Sequence, residues 1–315
     1  IVYSLLESSS GDIFVGTGGG LAKFDGVSNT DWTIYNTANS NLPYNYIPSL
    51  LESSNGDIFV GIDEGYVAKL DDVSNISTIY TANSDLPNND ILSLLENSSG
   101  DIFVGTLDGG LAKFDGVNHT GWTIYHTGNS DLPDNDIRTL LENSSGDIFV
   151  GTSEGLAKFD GVNHTGWMIY NTSNSDLPDN YIRTLLESSD GEIFVGTNEG
   201  LAKFDGISNT GWTIYDTLTS DLPKNNILSL LESSSGEIFV GTLDGGLAKF
   251  DGISSTGWTI YNTSNSDLPK NNVYSLLESS SGDIFVGTTK SVSKFDGNSN
   301  ICLLYTSDAA DDVLC

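Results

Sequence analysis

Basic side chains are scarce in this sequence. Twelve lysines and arginines face 43 aspartates and glutamates, so the 315-residue chain carries a formal charge of −31. A field of that sign repels nucleic acid and anionic membrane, and neither fits as a partner. It suits a soluble protein of a secreted or salt-exposed setting. Cysteine is nearly absent: Cys302 and Cys315 are the only two, both in the final stretch, and no disulfide framework is expected. Histidine occurs three times, at His119, His126 and His164. No His or Cys cluster has metal-ligand spacing. No run approaches the roughly 20 apolar residues of a membrane helix, and no secretory leader is visible. Ile1 already lies inside a strand-like run, and the expectation is a natural N-terminus further upstream.

Glycine, by contrast, is abundant at 35 residues, and Ser, Asn and Asp separate short apolar runs. That is the chemistry of turns between strands. The strands recur. The Phe of an IFVG string falls at Phe14, Phe59, Phe103, Phe149, Phe194, Phe239 and Phe285, with successive copies 44 to 46 residues apart. Each unit reads as an apolar run such as IRTLLE (137–142), a Ser/Gly turn, DIFVGT, a Gly-centred turn, GLAKFDG, a polar loop, WTIY and then NSDLP. Four β segments per unit predict an antiparallel meander. The unbroken apolar runs IFV and SLLE suit strands covered on both faces, as in sheets stacked radially around an axis. The fold expected is all-β, a seven-bladed β-propeller of four-stranded antiparallel blades over residues 1–297, with the seventh blade truncated.

Most repeated residues have structural work to do. Gly105 and its equivalents are expected to end the second strand where a side chain would crowd the turn. Asp115-Gly116 and its counterparts turn the chain after the third strand. Trp122, Trp167, Trp212 and Trp258 are expected to cover the outer strands as apolar plates. The recurrent lysines (Lys23, Lys69, Lys113, Lys158, Lys203, Lys249, Lys294) are expected to lay their stems along the sheet and meet a carboxylate. Copy two departs from the pattern, with Leu70-Asp71-Asp72 for Phe-Asp-Gly and Ser77 at the Trp position, so its blade should be looser.

After KFDG (294–297) the repeat fails. CLLYTSDAAD (302–311) resembles a translated transposase-adapter sequence, and residues 298–315 are read as a non-native tail. Its apolar ICLLY (301–305) could still serve as a substitute outer strand. The natural chain is expected to continue into further domains.

IRTLLE (137–142), GDIFVGT (146–152) and GLAKFD (155–160) together resemble the two-component regulator propeller repeats, and the resemblance spans all seven copies. It implies a periplasmic ligand-sensing domain of a membrane histidine kinase, often for carbohydrate-derived signals, or part of a secreted bacterial protein. The family usually has Trp at the first aromatic of the second strand, where this chain uses Phe throughout.

Near-identical copies differ at few places, and those places point to a site. Differences cluster after each Leu-Pro (YNYIP, NNDIL, DNDIR, DNYIR, KNNIL, KNNVY) and in the turn after VGT. The five basic residues outside the repeated Lys position, Arg138, Arg183, Lys224, Lys270 and Lys290, all fall there. Arg138 and Arg183 hold the same slot of adjacent blades, and two guanidiniums suit a carboxylate, sulfate or phosphate. Tyr46, Tyr181 and Tyr274 could stack on sugar rings. The expected ligand site is a cation-lined, tyrosine-flanked funnel on blades four to seven, made of Arg138, Arg183, Lys224, Lys270 and those tyrosines. It would take a small molecule or oligosaccharide, an anionic one included. The competing reading has Arg138 and Arg183 simply paired with Asp136 or Glu154.

The chain is not expected to be an enzyme. A propeller lyase of the streptogramin-cleaving kind needs His and a divalent metal at the axis, and the three histidines lie at outer positions. No nucleophile-elbow, phosphate-loop or kinase string occurs. SDLPDND (130–136) lacks the spacing of a calcium loop. No cofactor is expected. A sensing module ranks first, ahead of a secreted scaffold propeller, which the uniform repeats would also suit.

Overall fold

The computed structural model describes residues 1–24, 32–70, 76–81, 86–87, 90–115, 121–161, 166–295 and 301–306. Asp71-Asp72, Gly116, His119, His164 and Cys315 lie outside the described residues. The chain folds as seven four-stranded antiparallel sheets, each built from consecutive strands. In blade 1 these are β1 (Val2–Glu7), β2 (Ile13–Thr17), β3 (Gly20–Phe24) and β4 (Thr33–Tyr35), in that spatial order. The innermost strands of the later blades are β5 (Ser49–Glu52), β9 (Ile91–Glu96), β13 (Ile137–Glu142), β17 (Ile182–Glu187), β21 (Ile227–Glu232) and β25 (Val273–Glu278). Each inner strand packs beside the next, and β25 packs beside β1, so the blades close a ring around one axis. The last blade carries three strands of the repeat; its fourth, Ile301–Thr306, comes from the tail and pairs antiparallel with Ser291–Phe295.

Burial follows the stacking. All five residues of the second strand are buried in blades 2, 5, 6 and 7, because neighbouring blades cover both faces. The glycine of VGT makes the closest approach. A Cβ built on Gly105 would sit 2.2 Å from Ser93 Oγ across the strand and 2.7 Å from Ile137 of the next blade. The crowding therefore comes from the inner strand of the same blade and from the seam with the next blade, and not, as the sequence suggested, from the turn.

A further contact repeats at all seven seams. The Glu that ends each inner strand reaches the β1–β2-type turn of the preceding blade, where one Ser offers its backbone N–H and its hydroxyl. Glu52 accepts from Ser9, Glu96 from Ser54, Glu142 from Ser98, Glu187 from Ser144, Glu232 from Ser189 and Glu278 from Ser234. At the closing seam Glu7 accepts from Ser280, at 2.6 Å for N–H and 2.8 Å for the hydroxyl, between residues 273 apart in sequence. A carboxylate holding two donors at once fixes the angle between blades as well as their contact.

The tryptophans stack on the third strand's Phe. Trp212 lies 3.9 Å from Phe204 at 12°, and Trp258 3.9 Å from Phe250 at 11°. Trp32, Trp122 and Trp167 cover Phe24, Phe114 and Phe159 in the same way. Tyr170 and Tyr215 donate to the backbone carbonyls of Ile207 and Ile253 in the next blade, both at 3.1 Å, and burial pushes each phenol up to about 12. Lysines 23, 69, 113, 158, 249 and 294 each pair with the carboxylate that precedes the second strand, as expected. Lys203 lies over the ring of Phe194, 5.9 Å from its centroid. The aspartate turn after the third strand is present at Asp205, which accepts from the N–H groups of Ile207 and Ser208 while Gly206 takes φ +75°.

Candidate ligand site at the axis mouth

Every inner strand starts at the same end of the axis, opposite the Ser–Glu seam contacts. Its first Ile or Val is buried against the preceding blade, where it meets the VGT glycine. The residues on either side of that anchor then ring the mouth. Repetition sets this geometry, and the copies differ in what they place on it.

On blades 4 and 5 the mouth is cationic. The Arg138 and Arg183 guanidiniums both lie against the ring of Tyr181, with Cζ 4.6 and 4.9 Å from its centroid. Arg138 is paired with Asp136, whose same oxygen also accepts from Ser153. Arg183 donates through Nε to Asn198 Oδ1 at 2.6 Å, and Asn226 Nδ2 donates to that oxygen at 3.1 Å. Arg183 forms no ion pair among the described residues. Burial, reinforced by Arg138 nearby, pulls its pKa below the ordinary arginine range, while Tyr181, the Asp179 carboxylate and Tyr274 work against that shift. The competing sequence reading thus describes Arg138 and not Arg183.

Blades 7, 1 and 2 supply an aromatic arc. Tyr3 meets Tyr46 edge-on at 4.6 Å and Tyr274 at 6.4 Å. Tyr3 occupies the same slot as Arg138, Arg183 and Tyr274, and the sequence reading passed over it because the first copy lacks a Leu-Pro lead-in. Blades 2 and 3 supply carboxyls that were also missed. Asp63, in the turn after β6 (Ile58–Ile62), meets the carboxyl of Asp90, which precedes β9. Burial and this second carboxyl raise Asp63 to about 6. Burial, with Tyr3 and both aspartates beside it, raises the Tyr46 phenol well above its ordinary value. Asp136 on blade 4 is 7% exposed, and its Oδ1 is buried without a hydrogen-bond partner.

Lys224 and Lys270 are set apart. Both are exposed three residues before the anchor, and neither makes a hydrogen bond or ion pair among the described residues. The stem of Lys224 lies over the turn of its own blade, with Cγ 2.8 Å from where a Cβ on Gly245 would be. The arginines and tyrosines are brought together, then, from blades 2, 4, 5 and 7, and the lysines are not. A cavity of about 350 Å³ lies elsewhere, between blades 1 and 2, but its charged groups already answer one another: Lys23 with Asp12, Lys69 with Asp57, Glu52 with Ser9. Among the described residues no group of three His, Cys, Asp or Glu could hold a metal ion. No helix is long and apolar enough to cross a membrane.

Residues 176–199 and 267–290 match the family described as Two component regulator propeller, so two of the repeats carry the resemblance expected from the sequence. No curated protein sequence matches the chain. Among solved structures, the fold is similar to the extracellular domain of BT3049 from B. thetaiotaomicron, described as a hybrid two-component system, at 22% identity and a TM-score of 0.81. That likeness covers 95% of this chain and 39% of the other, so the chain spans about two fifths of its length. PorZ, a surface component of the type-IX secretion system of Porphyromonas gingivalis, is similar at 14% identity and a TM-score of 0.73, over 91% of this chain and 45% of PorZ. The WD40 propeller of Doa1 is similar at 12% identity and a TM-score of 0.65, over 91% and 90% of the two chains. At these identities the likeness is one of fold.

Proposed function

We propose that this chain, a bearer of two-component regulator propeller repeats, is a non-catalytic ligand-binding module that works outside the cytoplasm and signals through further domains. Its ligand is a small molecule or oligosaccharide with an anionic group, held at the axis mouth. The observation that carries this reading is Arg183. A half-buried guanidinium without an ion pair is costly in any protein, and this one belongs to a chain with 43 acidic side chains. Tyr181 and Asn198 hold the group in place, and the Asp179 carboxylate acts on it without closing an ion pair. A ligand carboxylate would supply the missing charge through a bidentate fork, with Tyr3, Tyr46 and Tyr274 available to sugar faces. The periplasmic or extracellular setting is supported by the matched repeats and by the extracellular domain of similar fold.

The test is a thermal-shift screen of wild type and the Arg138→Ala/Arg183→Ala variant against uronic-acid oligosaccharides. Wild type should be stabilised and the variant not. Equal shifts in the two proteins would refute the mouth as the binding site.

A further inference from the structure

The inner strands of blades 2 to 7 are each entered through a Leu-Pro pair, and the pair is packed. Leu42, Leu86, Leu132, Leu177, Leu222 and Leu268 are all at most 5% exposed. Each leucine seats on the blade it enters. Leu132 clusters with Ile137 of the inner strand, Ala157 of the third strand and Ile169 of the fourth. Leu177 clusters with the equivalent Ile182, Ala202 and Ile214. The proline lies over the glycine that opens the third strand: a Cβ built on Gly155 would meet Pro133 at 3.8 Å.

Blade 1 has the same seat. Val2, Ala22, Ile34 and Gly20 hold the four corresponding positions, and together they line a cavity of about 430 Å³ at the seam with blade 7. No Leu-Pro stands before Val2 in this sequence, and the cluster around Val2 contains no lead-in leucine. The wall of the cavity is also bare. Gly18-Gly19 stand where blades 4 and 5 carry Ser153-Glu154 and Asn198-Glu199, so another backbone can come close.

We propose that this seat on blade 1 is a docking site for an extended peptide of the Ser-Asp-Leu-Pro type, supplied by another polypeptide. Six identical seats in the same ring hold that residue pair. Every Leu-Pro of this chain is already buried in its own blade, so neither the chain nor a second copy has one to spare. A docked leucine loses its apolar surface to the seat, and the fixed backbone of proline lowers the cost of ordering the segment.

The probe is an end-capped synthetic peptide of residues 262–272, NTSNSDLPKNN, whose one Asp and one Lys leave it neutral toward a chain of charge −31. Titration calorimetry should show saturable binding of one peptide per chain. The Leu268→Ala version of the peptide should bind at least about tenfold more weakly, the margin of most of one buried leucine side chain. In the protein, Ala22→Met fills the seat and should weaken the parent peptide by at least as much. Photo-leucine at position 268 of the peptide should cross-link to the segments bearing Val2, Ala22 and Ile34. The two peptide readouts need no altered protein, so they stand even if Ala22→Met does not fold. No binding, equal binding of the Leu268→Ala peptide, or cross-links confined to other blades would overturn the proposal. Dimerisation of the chain that the peptide does not reverse would give the seat to a second copy and overturn it too.

Discussion

The seam between blades 7 and 1 joins parts of the chain that no loop connects, and Glu7→Ala tests how it holds. In the native ring Glu7 accepts two charge-assisted bonds from Ser280, at 2.6 and 2.8 Å. Both groups are partly exposed, so their loss costs about 1–2 kcal/mol in all. Six other seams have the same contact, but there the chain tethers the two blades and recloses any opening at high effective concentration. Glu7→Ala should therefore favour partial opening at the closing seam. Hydrogen exchange followed by mass spectrometry should show amides of blades 1 and 7 exchanging about 5–30 times faster. Protection in blades 3 to 5 should hardly change. Glu142→Ala, which removes the contact to Ser98 at 2.7 Å, is the control and should leave blades 1 and 7 protected. A uniform rise across all seven blades after Glu7→Ala, or none, would refute the idea that ring closure rests on side chains at one untethered seam.

Two further changes probe the packing and the mouth. Gly241→Ala places a Cβ 2.1 Å from Ser229 Oγ and 2.7 Å from both a methyl and the backbone carbonyl of Val273. A loss of about 2–3 kcal/mol is expected in denaturant unfolding, and Ser229→Ala/Gly241→Ala should recover only part of it, because Val273 still crowds the new methyl. Asp63, raised in the fold to about 6, keeps a proton that the unfolded chain releases from about 3.8 upward. Its favourable contribution is complete below that lower value and is lost as pH rises through about 6. Asp63→Asn should accordingly flatten the fall in melting temperature between pH 4 and 7 and gain about 1 kcal/mol above pH 6, after allowance for screening by solvent. An unchanged pH profile would show that the two carboxyls do not interact.

Much of the fold was legible because repetition amplifies weak signals. One copy of DIFVGT could be strand or buried helix, whereas seven copies at a fixed spacing, separated by turn residues, leave a radial stack as the natural way to cover both faces. What repetition could not reveal was partnership. The Glu of SLLE and the Ser of the following turn recur in every unit, yet nothing in the string says that they meet across a seam and not within a blade. The VGT glycine was misread for the same reason: Gly105 is crowded by Ser93 of the neighbouring strand and by Ile137 of the next blade, 32 positions on, and not by its own turn. At the mouth, differences between copies pointed to positions that the fold gathers around one end of the axis. They favoured cations because only cations are rare in this sequence. Asp63, Asp90 and Asp136 were hidden among 43 acidic residues, and Lys224 and Lys270 stood out although no hydrogen bond or ion pair ties either to its surroundings among the described residues. Charge scarcity marks a residue, but only the fold decides which neighbours it has.

The Ser–Glu contact has a direction: every blade presents serine on one flank and glutamate on the other. Such head-to-tail pairing closes only when the rotation per unit divides a full circle, about 51° for seven members. Gain or loss of one unit by recombination would force all the remaining joints to share a new angle, or leave a lone acid and a lone hydroxyl at an open gap. The carboxylate that locks each joint thereby also sets how many copies one such ring can hold.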